Sequence, residues 1–271
     1  MKKENKSIGS EFWELEYSRF LAEAAQEGIF RMDRTGVGRR SIFNVNMKLD
    51  VSAGFPILSG RRMYPKTTNT EFNWIWQGET NIQRFKDAGV KIWDSWADEN
   101  GELGPVYGSQ LRNWNGENID QINSIVHEIK ENPASSRLCM NMWNVSKLED
   151  MALPPCYPFL QFFVEDEKLS LSVTQRSGDL FLGIPYDFML FTQLLAAVAD
   201  LTDKTASMLY INIGDAHVYE NQIEAIQDYI SQPCVTQNVP YSLFYNNISN
   251  CYDLKLGEYH KGKRITAPVA V

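Results

Sequence analysis

Residues 159–201 read FLQFFVEDEKLSLSVTQRSGDLFLGIPYDFMLFTQLLAAVADL, and this stretch decides the fold class. Its first part, FLQFFVEDEKLSLSVTQRS, alternates apolar and polar residues around a charged centre, which predicts a hairpin turning at Glu165–Lys168. Its last part, DFMLFTQLLAAVADL, is apolar almost all round, the pattern of a helix buried on every side. Downstream, SMLYINIGDAHVY reads as a further strand and NQIEAIQDYI as a helix. Upstream, RLCMNMWNV alternates like a strand from Arg137. Strands and helices are intermixed without the regular βαβ alternation of a doubly wound sheet. The expected class is α+β, with helices packed on a large sheet, mostly antiparallel or mixed.

Toward the N-terminus, Phe12, Leu15, Phe20, Leu21 and Ala24 are spaced for a helix that stops at Gly28. DRTGVGRRSIFNVNMKLDV carries a Gly-containing turn followed by strand-like alternation. TEFNWIWQ is a helix that Asn69 or Thr70 is placed to cap and that stops at Gly78. Asn81 to Ala88 is another short helix, and DQINSIVHEI puts Ile122, Ile125, Val126 and Ile129 on one face.

The chain has 271 residues and no internal repeat, low-complexity tract or long linker. The simplest organisation is one domain over 1–271, with 1–27 as an N-terminal extension and helix. Apolar residues make up 44% and charged residues 22%, the balance of a globular protein. MKKENKSIGSEFWELEY has no apolar run after its basic residues, and no stretch reaches the ~18 continuous apolar residues of a membrane span. The expected setting is the cytoplasm, with no membrane partner. A net charge of -8 disfavours nucleic acid as a partner. Cys139, Cys156, Cys234 and Cys251 form no metal-binding spacing, so no metal is expected.

Five motifs carry chemistry. In MALPPCYPF (151–159), two prolines hold the backbone before Cys156 and a third follows it, placing a cysteine on a stiff corner as a nucleophile requires. The ordinary alternative is a buried free thiol. In QRSGD (175–179), Arg176 and Ser177 suit a phosphate, and Arg176 near Cys156 would favour the thiolate; a surface turn with an ion pair is the alternative. DRTG (33–36) offers Arg34 with the same ambiguity, and Arg137 is a further cation. Glu71 is a lone acid between apolar neighbours in TEFNWIW, or simply an exposed helix-face acid. In GDAHVY, His217 and Tyr219 share one face of a strand, where a satisfied core histidine is the plainer reading.

Taken together and in order, DRTGVGRRSIF, GFPILSGRR, IWDSWADENGELGPVYG, MALPPCY, QRSGDLFLGIPY, GDAHVYENQIEA and the terminal APVAV resemble thymidylate synthase from about Gly28 to the last residue. The resemblance implies that family's fold, with the sheet forming the interface of a homodimer. It implies a pyrimidine nucleoside monophosphate and 5,10-methylenetetrahydrofolate as substrates. Position by position, it implies Cys156 as the nucleophile at ring C6, Glu71 as organiser of water and protons, and Tyr107 near the C5 proton. Arg34, Arg176 and Ser177 match phosphate ligands, and Arg137 matches one that reaches the other subunit's site. Gln175 lies on the nucleotide side and Asp179 matches a residue at the nucleotide–folate junction. Tyr157 and Asp187 occupy positions at the base, and His217 and Tyr219 match the groups at the sugar hydroxyl, which leans to deoxyribose. Ile92, Trp93, Asp179, Leu182, Gly183 and Tyr186 match the folate side, with Ala270–Val271 closing over it.

Three positions depart from the family pattern. Asp187 stands where thymidylate synthases carry an Asn that donates to uracil O4 and accepts from N3–H. Cytosine reverses both groups, and leaving a buried polar group mispaired costs about 1–3 kcal/mol. Asp at this position resembles the deoxycytidylate (dCMP) hydroxymethylases; the alternative is that Asp187 caps the helix it precedes. Tyr157 stands in place of His, at the same end of the ring. Ser136 stands in place of Arg, removing one phosphate cation. The sequence therefore points to dCMP 5-hydroxymethylation, in preference to dUMP. A dCMP methylase, favoured by Trp93 and the APVAV tail, and a thymidylate synthase acting on dUMP remain alternatives. A silent homologue acting as a regulator is a rival of another class, opposed by the intact set Cys156, Glu71, Tyr107 and Arg176. If the source is a virus modifying its own DNA, the compartment is the host cytoplasm.

Overall fold

The structure is a computed structural model that describes residues 12–270. Residues 1–11, part of the expected N-terminal extension, and Val271, the last residue of the expected closing tail, lie outside it. Helix α1 (Trp13–Glu27) is followed by strands β1 (Ile29–Arg31) and β2 (Arg39–Asp50). Helices α2 (Pro65–Trp76), α3 (Gln83–Ala88), α4 (Tyr107–Arg112) and α5 (Gln121–Glu131) form the middle of the chain. Then come β3 (Cys139–Asn141), β4 (Phe159–Glu165), β5 (Lys168–Asp179), α6 (Ile184–Leu201), β6 (Thr205–Tyr219), α7 (Ile223–Ile230) and a hairpin of β7 (Tyr241–Asn246) and β8 (Cys251–Leu256).

Six strands form one sheet in the order β1-β2-β6-β5-β4-β3. β5 and β6 are parallel and every other neighbouring pair is antiparallel, so the sheet is mixed and the fold α+β, as expected. The parallel pair requires a crossover, and α6 supplies it. The β4–β5 hairpin turns at Glu165↔Lys168, where Asp166 takes φ 54°. On β5, Leu169, Leu171, Val173 and Gln175 alternate into the interior. The first three are apolar, whereas Gln175 is polar where the row meets the first turn of α6.

Helix α6 is long and apolar enough to cross a membrane, but most of it is buried inside the protein as a core helix. It starts at Ile184, three residues before the sequence signal, because Pro185 sits in the first turn, where its missing N–H has no partner to lose. Pro65 starts α2 in the same way, ahead of the expected caps Asn69 and Thr70, which lie inside that helix.

Two expectations need correcting. On α1 the buried face is Glu14, Tyr17, Leu21 and Ala24, while Phe12 and Leu15 are half-exposed. The stripe rotates because Glu14 is drawn inward: its carboxylate accepts from the backbone N–H of Ser59 (2.8 Å) and Gly60 (3.0 Å) and from the Tyr229 hydroxyl (3.1 Å). In RLCMNMWNV only Cys139–Asn141 pairs as a strand, leaving Arg137 just outside the edge strand.

Candidate active site

Pro154 and Pro155 can present only carbonyls to their surroundings. Arg176, near the end of β5, satisfies both: its Nη2 donates to Pro154 O at 2.8 Å and its Nε to Pro155 O at 2.9 Å. The Arg176 backbone N–H donates to Cys156 O at 2.8 Å, and the Cys156 N–H donates to the Tyr107 hydroxyl at 3.2 Å. The thiol is therefore held between the sheet and the first residue of α4. Burial pushes the Cys156 thiol up; Arg176 pulls it down, Asp187 pushes it up again, and Tyr107 and Arg34 oppose. Arg176 favours the thiolate, but desolvation is the larger effect.

Three aromatic rings wall the site beside the thiol. Tyr107 and Tyr157 lie with ring centroids 4.6 Å apart, tilted by 32°, and Tyr157 meets Phe191 of α6 edge-on at 4.9 Å. Trp93 lies 5.8 Å from Tyr107 and donates its indole N–H to Glu71 Oε1 at 3.0 Å. Glu71 is thus turned into the site instead of standing on an exposed helix face. Burial raises it from 4.5 to about 7, against the Trp93 hydrogen bond.

Asp187 lies in the first turn of α6, where Gly183 is the N-cap, so it does not cap the helix. Its Oδ2 accepts from Gln175 Nε2 at 2.7 Å, while Gln175 Oε1 is buried without a partner. Burial raises Asp187 from 3.8 to about 8; Gln175 opposes, and the negative charges of Glu71 and Asp179 add to the rise. The Glu71 charge thus helps to hold the proton on Asp187.

At the end of β5, Asp179 Oδ1 accepts from the N–H groups of Phe181 and Leu182 (2.9 Å each), and Oδ2 accepts from Gln222 Nε2 at 2.8 Å. The turn it shapes carries Leu182 and Gly183, both half-buried. His217 pairs with Asp179 across the β5–β6 register and stands edge-on to Tyr219 at 5.2 Å, so the two rings do share a face. Gln222 is fully buried and also accepts from the Tyr219 N–H through Oε1 at 3.1 Å. Sequence reading missed this bridge, although Gln222 lies inside the stretch GDAHVYENQIEA.

Trp93 is buried, Tyr186 is half-buried and Ile92 is exposed at the rim, a hydrophobic wall of the kind a flat heterocycle needs. Ala270 is half-buried at the end of the described tail. Arg34 and Ser177 form no side-chain hydrogen bond or ion pair among the described residues. Exposed Arg137, beside edge strand β3, forms none either, and it has no influence on the thiol comparable to that of Arg34. Among the described residues no three His, Cys, Asp or Glu side chains converge as a metal site would require.

The thymidylate synthase family profile matches residues 15–271 of this chain. Thymidylate synthases from three strains of Coxiella burnetii are each 38% identical to it over 264 residues, covering 94% of this chain and 99% of theirs. The chain belongs to the thymidylate synthase family, enzymes that transfer a one-carbon unit to C5 of a pyrimidine nucleoside monophosphate with 5,10-methylenetetrahydrofolate as co-substrate.

Proposed function

We propose that the enzyme acts on dCMP and leaves a hydroxymethyl group on C5. The observation that carries this reading is Asp187, a carboxyl beside the thiol that keeps its proton up to about pH 8. A neutral carboxyl offers one donor and one acceptor. Facing cytosine, it donates to N3 and accepts from the exocyclic amine, so neither buried group is left unpaired.

In this reading Cys156 sulfur adds to C6, and the electron pair released at C5 attacks the one-carbon unit. Loss of the C5 proton then breaks that unit's bond to the folate nitrogen, leaving an exocyclic methylene on C5 with tetrahydrofolate as the leaving group. Bound folate supplies that unit, and for a methyl product also the hydride. Tyr107 and Glu71 hold the water that carries the C5 proton away, Glu71 being suited to exchange protons near neutrality. In the hydroxymethyl product the oxygen comes from water, and the sulfur leaves as C5–C6 regains its double bond. Arg34, Arg176 and Ser177 bind the phosphate, His217 and Tyr219 the sugar hydroxyl, and Asp179, Ile92, Trp93, Leu182, Gly183, Tyr186 and Ala270 the folate side. Gln175 and Tyr157 complete the base edge.

The enzyme works in this proposal as a cytoplasmic homodimer. Phe43 on β2, Phe163 on β4 and Tyr210 on β6 are exposed at 85%, 66% and 37%, and in this proposal they belong to the apolar surface that a second copy covers. Arg137 then serves the other subunit's phosphate site.

A second reading, thymidylate synthesis from dUMP, is favoured by the name its relatives carry. It is also favoured by chemistry, because a neutral carboxyl with its proton on the other oxygen mimics an amide toward uracil. Incubation with methylenetetrahydrofolate and either dCMP or dUMP, followed by product mass, separates hydroxymethyl-dCMP, methyl-dCMP and thymidylate. Turnover of dUMP at a rate equal to or above that of dCMP overturns the cytosine reading.

A further inference from the structure

We infer that Arg39 is a positioning residue for nucleotide binding, tying the Arg34 loop to the strand that carries His217. The inference rests on Arg34 and His217 being nucleotide contacts. It does not depend on which base is read.

Arg39 opens β2 and stands between two carboxylates. Its Nη2 donates to Asp215 Oδ2 at 2.8 Å, and its Nη1 lies 3.6 Å from Asp33 Oδ2. The three side chains are only 13–23% exposed, so solvent screens this cluster less than it screens a surface pair. Its Nε is buried without a partner among the described residues. A guanidinium engaged on two sides by carboxylates does not replace the phosphate cation that is absent at Ser136. Its role is mechanical.

Asp33 has two tasks. Its Oδ1 accepts from the Thr35 N–H (3.1 Å) and hydroxyl (2.6 Å), and its backbone carbonyl accepts from the Gly36 N–H (3.1 Å), which folds the loop presenting Arg34. Its Oδ2, facing Arg39, is the only side-chain tie from that loop to the sheet among the described residues. Asp215 also has two tasks. It takes the other side of Arg39, and its backbone O and Oδ1 lie 3.2 and 3.5 Å from His217 Nδ1. That contact settles the imidazole orientation and leaves Nε2 for the sugar. The β2–β6 ladder already pairs Arg39 with Tyr219 through the backbone, so the strands do not need this cluster to associate. The loop does need it: without the guanidinium, two carboxylates within its reach repel, and the loop is the part able to yield.

Steady-state kinetics of Arg39→Met and Arg39→Lys, with dCMP and dUMP each tried as nucleotide, test the assignment. The expected result for Arg39→Met is a nucleotide KM raised about tenfold with kcat within about twofold and the folate KM unchanged. Arg39→Lys, keeping the charge, restores most of the loss. If Arg39→Met does not fold, Asp33→Asn, which keeps the turn bond through its amide oxygen and removes the charge facing Arg39, is expected to show the same split. An unchanged nucleotide KM overturns the inference. So do nucleotide and folate KM values rising together with a falling kcat, or a lysine variant no better than methionine. Turnover of dUMP instead of dCMP overturns the base reading alone, because phosphate and sugar are common to both.

Discussion

Gln175 Nε2 donates to Asp187 Oδ2 at 2.7 Å, joining β5 to the first turn of α6 behind the candidate base pocket. The bond fixes which way the Asp187 carboxyl is turned. A carboxyl held in one orientation meets every base with the same edge, which is what discrimination between two bases requires.

Replacing Asp187 by Asn removes the titratable proton and installs a permanent donor. The expected outcome is a shift in preference toward dUMP of at least about tenfold in the ratio of kcat/KM values, consistent with ~1.4 kcal/mol or more for re-pairing buried groups. Unchanged preference in the purified variant removes Asp187 from base selection.

The pH dependence has a definite sign. Glu71 and Asp187 hold their protons up to about 7 and about 8 when folded, against 4.5 and 3.8 ordinarily. Between roughly pH 4 and 8 the folded state therefore binds more protons than the unfolded chain, and this contribution to stability falls as pH rises. Denaturant midpoints of wild type measured relative to Asp187→Asn are expected to decline across that window. Turnover of dCMP is expected to fall as Asp187 loses its proton above about pH 8. A stability difference that rises with pH would contradict the Asp187 assignment.

Arg176 satisfies the Pro154 and Pro155 carbonyls, which have no other hydrogen-bond partner among the described residues. Arg176→Met is expected to leave these carbonyls unpaired and free the cysteine corner, costing ~2–4 kcal/mol in transition-state stabilisation, roughly thirtyfold to a thousandfold in kcat/KM. Arg176→Lys is expected to recover little, since an ammonium lacks the two-armed geometry. Kinetics of the two variants at saturating folate provide the check.

Gly104 precedes Tyr107 by three residues and takes φ +72°, and a Cβ built there would come within 2.0 Å of Asp150 O. Gly104→Ala is expected to destabilise the fold by more than ~1 kcal/mol through strain and backbone collision. The same shift moves the Tyr107 hydroxyl off the Cys156 N–H, so kcat falls with the melting temperature. A variant with wild-type Tm rules this out.

Gln222→Ala deletes a fully buried bridge between Asp179 and the Tyr219 backbone. A loss of ~1–3 kcal/mol in unfolding free energy is expected from the groups left unpaired, measured by urea titration. Stability equal to wild type would mean that water replaces the bridge.

Local pattern carried much of the architecture. Alternation in FLQFFVEDEKLSLSVTQRS, the all-round apolar DFMLFTQLLAAVADL and the stiff PPC corner are properties of neighbouring residues, and such properties can be read along a chain. The order of motifs from DRTG to APVAV supplied the family. What the sequence left open depends on residues far apart in the chain meeting in a place shielded from water. Glu14 turned inward because amides some 45 residues away needed an acceptor. Asp187 is a helix cap or a base reader by its letter alone, and only its burial, with Glu71 and Asp179 nearby and against the pull of Gln175, lets it hold a proton near neutral pH. The tie from Asp33 through Arg39 to Asp215 has no pattern in the sequence, because charge pairing at close range is decided by how strands and loops come together, and the tertiary structure alone sets that.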